Sequence, residues 1–428
     1  MFNQDQVFAL VDCNNFYVSC ERVFNPRIRD KPVVVLSNND GCVVSRSEQA
    51  KQLGIGMGTP IFKCEQLIKK FDVQVFSSNY SLYADMSSRV MDVLRKFSPQ
   101  VEIYSIDEAF LCLEKFKQKD YREYGEEIRE TVAKWTGIPV SIGIAETKTL
   151  AKVANRFAKR DVDLKGVFNL TGHPDQDSFL KQVEIEDIWG IGPKYSLMLR
   201  KKGIVDGLMF KNTDENWVRE RMTVTGQKTL LELRGKNCVE LEMIPPDKKG
   251  ITCSRSFGQP VEKFELLQQA LATYISRAAE KLRKQDSIPL SMHIFITTNR
   301  FNQDEPQYAN WIDIKLSKPT SYTPYLISLA RENLGKIYKS GYRYKKVGVT
   351  FTGIIPSKEV QPGFFYHPDD VLNDHRFMKI LDQINDRWGR NTVGFSLPGK
   401  KPSWSMSQKK LSPKFTTAWD QIPVVYCD

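Results

Sequence analysis

VEIYSIDEAFLCL, residues 101–113, is the stretch on which the reading of the chain turns. Val101, Ile103, Ser105 and Asp107 fall on one face of an extended strand, with Glu102, Tyr104 and Ile106 on the other. Ala109 to Leu113 then reads as a second strand after a tight turn at Asp107–Glu108. Two acids between apolar strands suit a built site. The bland alternative is a solvated turn.

Outward toward the N-terminus, VFALVD (7–12) is a short apolar run that ends in Asp12. Neighbouring strands lie about 4.8 Å apart, so acids at their ends can share one or two divalent ions. Two-metal phosphoryl transfer needs that arrangement, and oxygen ligands suit a hard ion such as Mg²⁺. Spacing alone does not bring residue 12 to residue 107. VVVL (33–36) predicts another strand, and GCVVSRSEQAKQLGI (41–55) a strand and then a short helix. Leu82, Met86, Val90 and Leu94 form one face of a helix over 80–97, which Pro99 ends. A helix over 121–135, a strand at PVSIGIA (139–145) and a helix over 147–159 follow. Strand, helix, paired strands, helix, strand, helix predicts an α+β domain of ferredoxin-like type.

Toward the C-terminus, 171–245 reads as helical with glycine-bearing turns. In DIWGIGPKYSLMLRKKGI (187–204), Gly190 and Gly192 precede a helix over 194–199, the pattern of a helix-hairpin-helix. Such a turn offers backbone N–H groups to a DNA phosphate, and Lys194, Arg200, Lys201 and Lys202 add charge. A plain helix turn is the alternative. Residues 251–355 return to mixed helix and strand and hold 15 lysines or arginines against 8 acids, more than half of the whole chain's excess of +11. Arg255, Arg300, Lys315, Lys318, Lys345 and Lys346 lie in or beside its strands and could follow a phosphate backbone; an ordinary solvated face is the alternative.

Composition sets the outer bounds. At 428 residues the chain exceeds the roughly 250–300 that one core supports, so three or four domains are expected. With 41% hydrophobic and 26% charged residues it is neither wholly disordered nor fibrous. An excess of 62 basic over 51 acidic residues favours a polyanionic partner or an anionic membrane surface. No apolar run reaches the roughly 20 residues of a membrane helix. MFNQDQVFALVDCNNF lacks the basic start of a secretory leader. Eight scattered cysteines without a CxxC pair, and only four histidines, argue for reduced thiols and against zinc. A cytoplasmic protein, nucleoid-associated when active, is the expectation.

LVDCNNFYVSCE (10–21), VVLSNNDGCVVSRS (34–47), YSIDEAF (104–110) and the 187–204 hairpin together resemble the Y-family translesion DNA polymerases, over essentially the whole chain. SNNDGCVVSR and CSRSFG (253–258) pull toward the branch of bacterial DNA polymerase V and its plasmid-borne relatives. The resemblance implies an α+β multidomain right hand. Its parts would be a ferredoxin-like palm (7–17 and 80–170), small fingers (18–79) and a helical thumb with the helix-hairpin-helix (171–245). An α/β little finger (251–355) and a C-terminal extension (356–428) would follow. The implied activity is error-prone, template-directed translesion synthesis, a DNA-directed DNA polymerase moving dNTP onto a primer 3′-hydroxyl during DNA damage tolerance and SOS mutagenesis.

Residue by residue, Asp12, Asp107 and Glu108 match the family's metal-binding acids, with the Cys13 backbone carbonyl as a further ligand for two Mg²⁺, or Mn²⁺ as a substitute. Tyr17 matches the steric gate beneath the incoming sugar, while Phe16 is expected in the core. Ser45, Lys51 and Lys159 match triphosphate-binding positions. Glu48 departs from the phosphate-facing tyrosine of many relatives, since an ionised acid cannot donate to phosphate; Arg46 beside it could compensate. Lys148 and Lys152 are expected to hold template or primer backbone. Gly190, Gly192, Lys194, Arg255, Arg300, Lys315, Lys345 and Lys346 are the expected DNA contacts. Gln361, Phe364 and Phe365 resemble a sliding-clamp peptide, with Phe364 where leucine is usual. GKKPSWSMSQKKLSPKF (399–415) would meet DNA or an accessory protein. The implied partners are primer–template DNA, dNTP, the sliding clamp (beta), a cleaved UmuD-type dimer and a RecA-type recombinase with ATP, but no membrane. A non-catalytic DNA-binding scaffold would share the hairpin and basic face but leave the acids without a task. A helix-hairpin-helix nuclease would leave Tyr17, Ser45 and Lys51 idle.

Overall fold

Phe8–Cys13 is buried at every residue because it is the central strand of a five-stranded sheet. The computed structural model describes residues 6–113, 120–359, 368–389, 392–395 and 404–424. These fall into two compact units: one of residues 1–37, 41–245 and 410–428, the other of 38–40 and 246–409.

In chain order the first unit's strands are β1 (Phe8–Cys13), β2 (Val33–Leu36), β3 (Val43–Arg46), β4 (Gln74–Ser77), β5 (Val101–Ile103), β6 (Glu108–Cys112), β7 (Val140–Ala145) and β8 (Val167–Asn169). The main sheet runs β5-β6-β1-β7-β8, with β1 antiparallel to both neighbours, and its first four strands have ferredoxin-like order. Side chains alternate along β1. Ala9, Val11 and Cys13 share a core with the helices Tyr80–Leu94 and Tyr121–Thr136. Phe8 and Leu10 face the helix Lys148–Arg160 instead. Asp12 belongs to that second set by parity, and this places it under the basic helix.

Thr147 starts that helix by accepting a hydrogen bond from Leu150 N–H. Gly143 on β7 lets it lie close: a Cβ there would stand 2.1 Å from Asn155 N and 2.3 Å from Ala151 O. Strands β3-β2-β4 form a separate small sheet. Short helices then fill 176–233, and Gly190 takes φ +87 in the turn before the helix Pro193–Lys201.

The second unit holds β9 (Ile251–Val261), β10 (Ser287–Thr298), β11 (Ala309–Lys315) and β12 (Tyr344–Pro356), all antiparallel in the order β11-β10-β12-β9. The helices Phe264–Lys284 and Thr323–Ile337 share a core with one face of this sheet. The C-terminal stretch does not make a unit of its own. The helix Pro368–Trp388 belongs to the second unit, where Asp382 takes a two-pronged bond from Arg283 at 2.6 and 2.8 Å. Trp404 is buried in the same core against Phe257 and Tyr274, so it is no free contact for a partner. Residues 410–424 return to the first unit. Among the described residues no helix is long and apolar enough to cross a membrane.

Candidate active site

Asp12 and Glu108 are register partners across β1 and β6, and their carboxyl groups are hydrogen-bonded. Burial pushes the Asp12 carboxyl up to about 7, although Lys159 pulls against it from 2.5 Å. Burial also opposes charge on Glu108, but the hydrogen bond from Asp12 and the ammonium of Lys152, 2.9 Å away, hold it below its ordinary value. Of the two carboxyls in contact, Asp12 is the one that takes up a proton first as pH falls.

Asp107 is set slightly apart. It ends the turn before β6, where the Ser105 hydroxyl accepts from the N–H groups of Asp107 and Glu108 and donates to Asp107 Oδ1 at 2.5 Å. Its carbonyl accepts from Cys13 N–H at 2.8 Å, which fixes the turn against the end of β1. Among the described residues no three His, Cys, Asp or Glu side chains stand ready as a metal cage. The structure brings Asp12 and Glu108 together, while the Asp107 carboxylate is held by the Ser105 hydroxyl. Hard oxygen donors and two lysines parked on the carboxylates fit a divalent cation, which would take over the charge those lysines now compensate.

Tyr17 sits on the helix Phe16–Phe24, which begins beside Asn15 at φ +48, a left-handed position that asparagine tolerates. Its ring lies flat on Tyr83 at 4.4 Å and edge-on to Tyr80 at 6.2 Å. Burial, then Tyr80 and Asp107, push its phenol up, and the ring packs against the core that Ala9, Val11 and Cys13 share with the helix Tyr80–Leu94. Phe16 is buried in the core. Tyr83 was not singled out by the sequence, although Tyr80 and Tyr83 stand on the same short stretch of helix.

Ser45 is buried on β3 and donates to Asn15 O at 3.4 Å. Lys51 pairs with Glu48 at 2.6 Å, and Glu48 also accepts from Asn15 at 3.2 Å. Glu48 thus holds Lys51 rather than replacing a phosphate donor. Arg46 keeps two buried guanidinium nitrogens, Nε and Nη1, without a hydrogen-bond partner among the described residues.

Four basic expectations need correction. Lys148 is 1% exposed; it pairs with buried Glu102 and donates to Glu240 O, so it cannot hold nucleic acid. Helical spacing does not distinguish a wet face from a buried ion pair. Lys152 is likewise engaged, on Glu108 and over Tyr104 at 4.5 Å. Lys345 turns inward to Phe257 O at 2.8 Å, and burial lowers its pKa. Arg200 is spent on Glu184 and Glu186. Lys194, Arg255, Arg300 and Lys315 are exposed, and Lys346 is half-buried over Phe295. Arg255, however, sits opposite buried Val347, on the helix side of its sheet. Gln361, Phe364 and Phe365 lie outside the described residues.

Residues 11–156 match the impB/mucB/samB family and residues 248–364 its C-terminal domain; residues 375–425 match a domain of unknown function, DUF4113. The chain is 41% identical to protein UmuC of Salmonella typhimurium, over 97% of this chain and 99% of that one. It is 40% identical to protein ImpB of the same organism, over 98% and 99%, and 26% identical to DNA polymerase IV of Desulfatibacillum aliphaticivorans, over 90% and 94%. Among solved structures, a Y-family DNA polymerase chimera of Dbh and Dpo4 superposes with a TM-score of 0.64 at 22% identity, covering 82% of this chain and 99% of that one. An insertion ternary complex of Dbh DNA polymerase gives 0.51 at 21% identity, with the same coverage. With identity of this level along nearly its whole length, the chain belongs to the impB/mucB/samB family of UmuC-like proteins and carries the Y-family polymerase fold.

Proposed function

We propose that the chain is an error-prone translesion DNA polymerase whose chemistry is centred on Asp12 and Glu108. The observation that carries this reading is their register pairing on adjacent strands, with lysines already resting on both carboxylates. The primer 3′-oxygen would bond to the α-phosphorus of a dNTP while the bond to pyrophosphate breaks. Asp12, Glu108, the Cys13 carbonyl and, once its carboxylate leaves Ser105, Asp107 would hold divalent cations, two Mg²⁺ by preference. Such ions lower the pKa of the attacking hydroxyl and neutralise the triphosphate. Lys159, released from Asp12, and Lys51 would then meet the β- and γ-phosphates beside Ser45.

Tyr17 would fill the space of a 2′-hydroxyl and so select deoxyribose. Lys194, Lys315, Lys346 and Arg300 remain candidates for phosphate contacts, with the Gly190–Gly192 turn offering backbone N–H groups. The clamp, a UmuD-type dimer, a RecA-type recombinase and a cytoplasmic, nucleoid-associated setting complete the proposal. The test is primer extension by the purified chain with Mg²⁺ and four dNTPs, on intact and lesion-containing templates. Template-dictated products past the lesion support the reading. Absence of synthesis on the intact template, with or without the accessory proteins, refutes it.

A further inference from the structure

Residues 410–415 cross the two helices that carry Tyr17 and Tyr83. Lys410 joins the end of β4: its carbonyl accepts from Ser77 N–H at 2.9 Å, and its own N–H donates to the Ser77 hydroxyl at 3.0 Å. Asn79 caps the helix Tyr80–Leu94 with its amide oxygen. Its amide nitrogen holds the crossing segment, donating to the Ser412 carbonyl at 3.1 Å, the Ser412 hydroxyl at 2.9 Å and the Pro413 carbonyl at 3.1 Å. Phe415 stacks on Phe24 at 4.7 Å with the rings 10° apart.

The centre of this contact is Glu21, 1% exposed and one turn beyond Tyr17 on the same helix. Its Oε1 accepts from the Tyr83 hydroxyl at 2.7 Å and from the Ser412 hydroxyl at 3.0 Å. A buried carboxyl depends on such bonds, because nothing else there replaces water. The face of the same Tyr83 ring stacks on Tyr17 at 4.4 Å. One hydroxyl from the C-terminal region thus ends a short chain of contacts: Ser412 to Glu21, Glu21 to Tyr83, Tyr83 to Tyr17. The proposed nucleotidyl transfer does not itself use this segment, since the acids and triphosphate-facing groups assigned above lie before residue 160.

We infer that the strap Lys410–Phe415 positions the sugar-selecting ring: Ser412, through Glu21 and Tyr83, fixes Tyr17, so that part of the region matching a domain of unknown function sets discrimination against ribonucleotides. This rests on the reading of Tyr17 as the steric gate. Ser412 touches no substrate; it is a positioning residue.

The experiment compares kcat/KM for ribo- and deoxyribonucleotide insertion by the full chain. Ser412→Ala should raise the ribo/deoxy ratio about fivefold through a lower ribonucleotide KM, with deoxyribonucleotide insertion within about twofold, the scale of one lost hydrogen bond. Tyr83→Phe, which keeps the ring and removes the hydroxyl, should do the same, and it stands in should Ser412→Ala fold poorly. Ser412→Thr should restore the wild-type ratio. On a Tyr17→Ala background, Ser412→Ala should change nothing further. A wild-type ratio in both Ser412→Ala and Tyr83→Phe overturns the inference. So does an equal loss for both sugars with a lowered Tm, or an effect that survives in Tyr17→Ala. If Tyr17→Ala itself leaves the ratio unchanged, the gate reading fails and the strap's role falls with it. If Tyr17→Ala raises the ratio and the strap variants do not, only the strap's role falls.

Discussion

Two sheets in this molecule are built from the same succession of strand, helix, hairpin, helix and strand, yet they differ in where the first strand lies. In the first unit β1 is central, between β6 and β7. In the second, β9 is an edge strand beside β12 alone. A central first strand has a neighbour on each side at its C-terminal end, so Asp12 meets Glu108 on one side and Ser141 on the other. Helices cover both faces, and burial there pushes the Asp12 carboxyl up. The second sheet has helices on one face, and its other face carries Lys315 and Lys346 together with Trp311, which is 60% exposed. Strand order, rather than element order, separates a sheet that can concentrate acids from one that can spread cations over a surface.

The comparison is broken most easily at its strongest point. Asp12→Ala should cut nucleotide insertion by about a thousandfold or more, as expected when preorganised charge at a reacting centre is removed. Lys315→Ala with Lys346→Ala should leave the insertion rate at saturating DNA unchanged while weakening DNA affinity. The slope of log K against log salt should shrink by about 0.9 for each lost phosphate contact. Lys345→Ala, on an inward-turned side chain, should change that slope far less. If the open-face pair slows chemistry and spares affinity, the division of labour is wrong.

Each sheet also depends on a glycine for close packing, and the two should not tolerate alanine equally. At Gly143 a Cβ meets helix backbone nitrogen, oxygen and Cα at 2.1–2.6 Å; at Gly348 it meets Ser254 Cβ at 2.4 Å, which only a strand shift can relieve, and the Phe295 ring at 2.5 Å, which can turn aside. Thermal melts should show Gly143→Ala more damaging, by about 1–3 kcal/mol beyond Gly348→Ala. The smallest effect belongs to Glu48. Glu48→Gln frees Lys51 from an exposed ion pair and should lower the KM for dNTP about two- to threefold, in keeping with the modest strength of such pairs. A rise in KM would instead make Glu48 the residue that aims Lys51.

Much of the first sheet was legible in the sequence because its strands are short apolar runs and its helices show one apolar face. Asp12, Asp107 and Glu108 stood out because acids rarely end such runs. What pattern could not supply was the pairing of residue 12 with residue 108, which depends on strand register across nearly a hundred residues. Lys148 was misread for a related reason: its partner, Glu102, comes from a different element, and a buried ion pair leaves no periodic trace. Arg255 and Lys345 lie in a basic stretch, but their directions follow from the alternation and irregular register of β9 and β12. The strap at 410–415 was invisible as a palm element. Its anchors are a hydrogen bond from Asn79 and others to Ser77 and Glu21, more than 330 residues away, and single polar side chains carry no local signature.

The central claim is that the Asp12–Glu108 pair performs chemistry and does not hold DNA. Single-turnover insertion by Glu108→Ala, measured alongside its Kd for primer–template DNA, separates the two. Insertion should fall by about a thousandfold or more while DNA affinity stays within about threefold of wild type. Insertion within about tenfold of wild type, or a loss explained by weaker DNA binding, would contradict that claim.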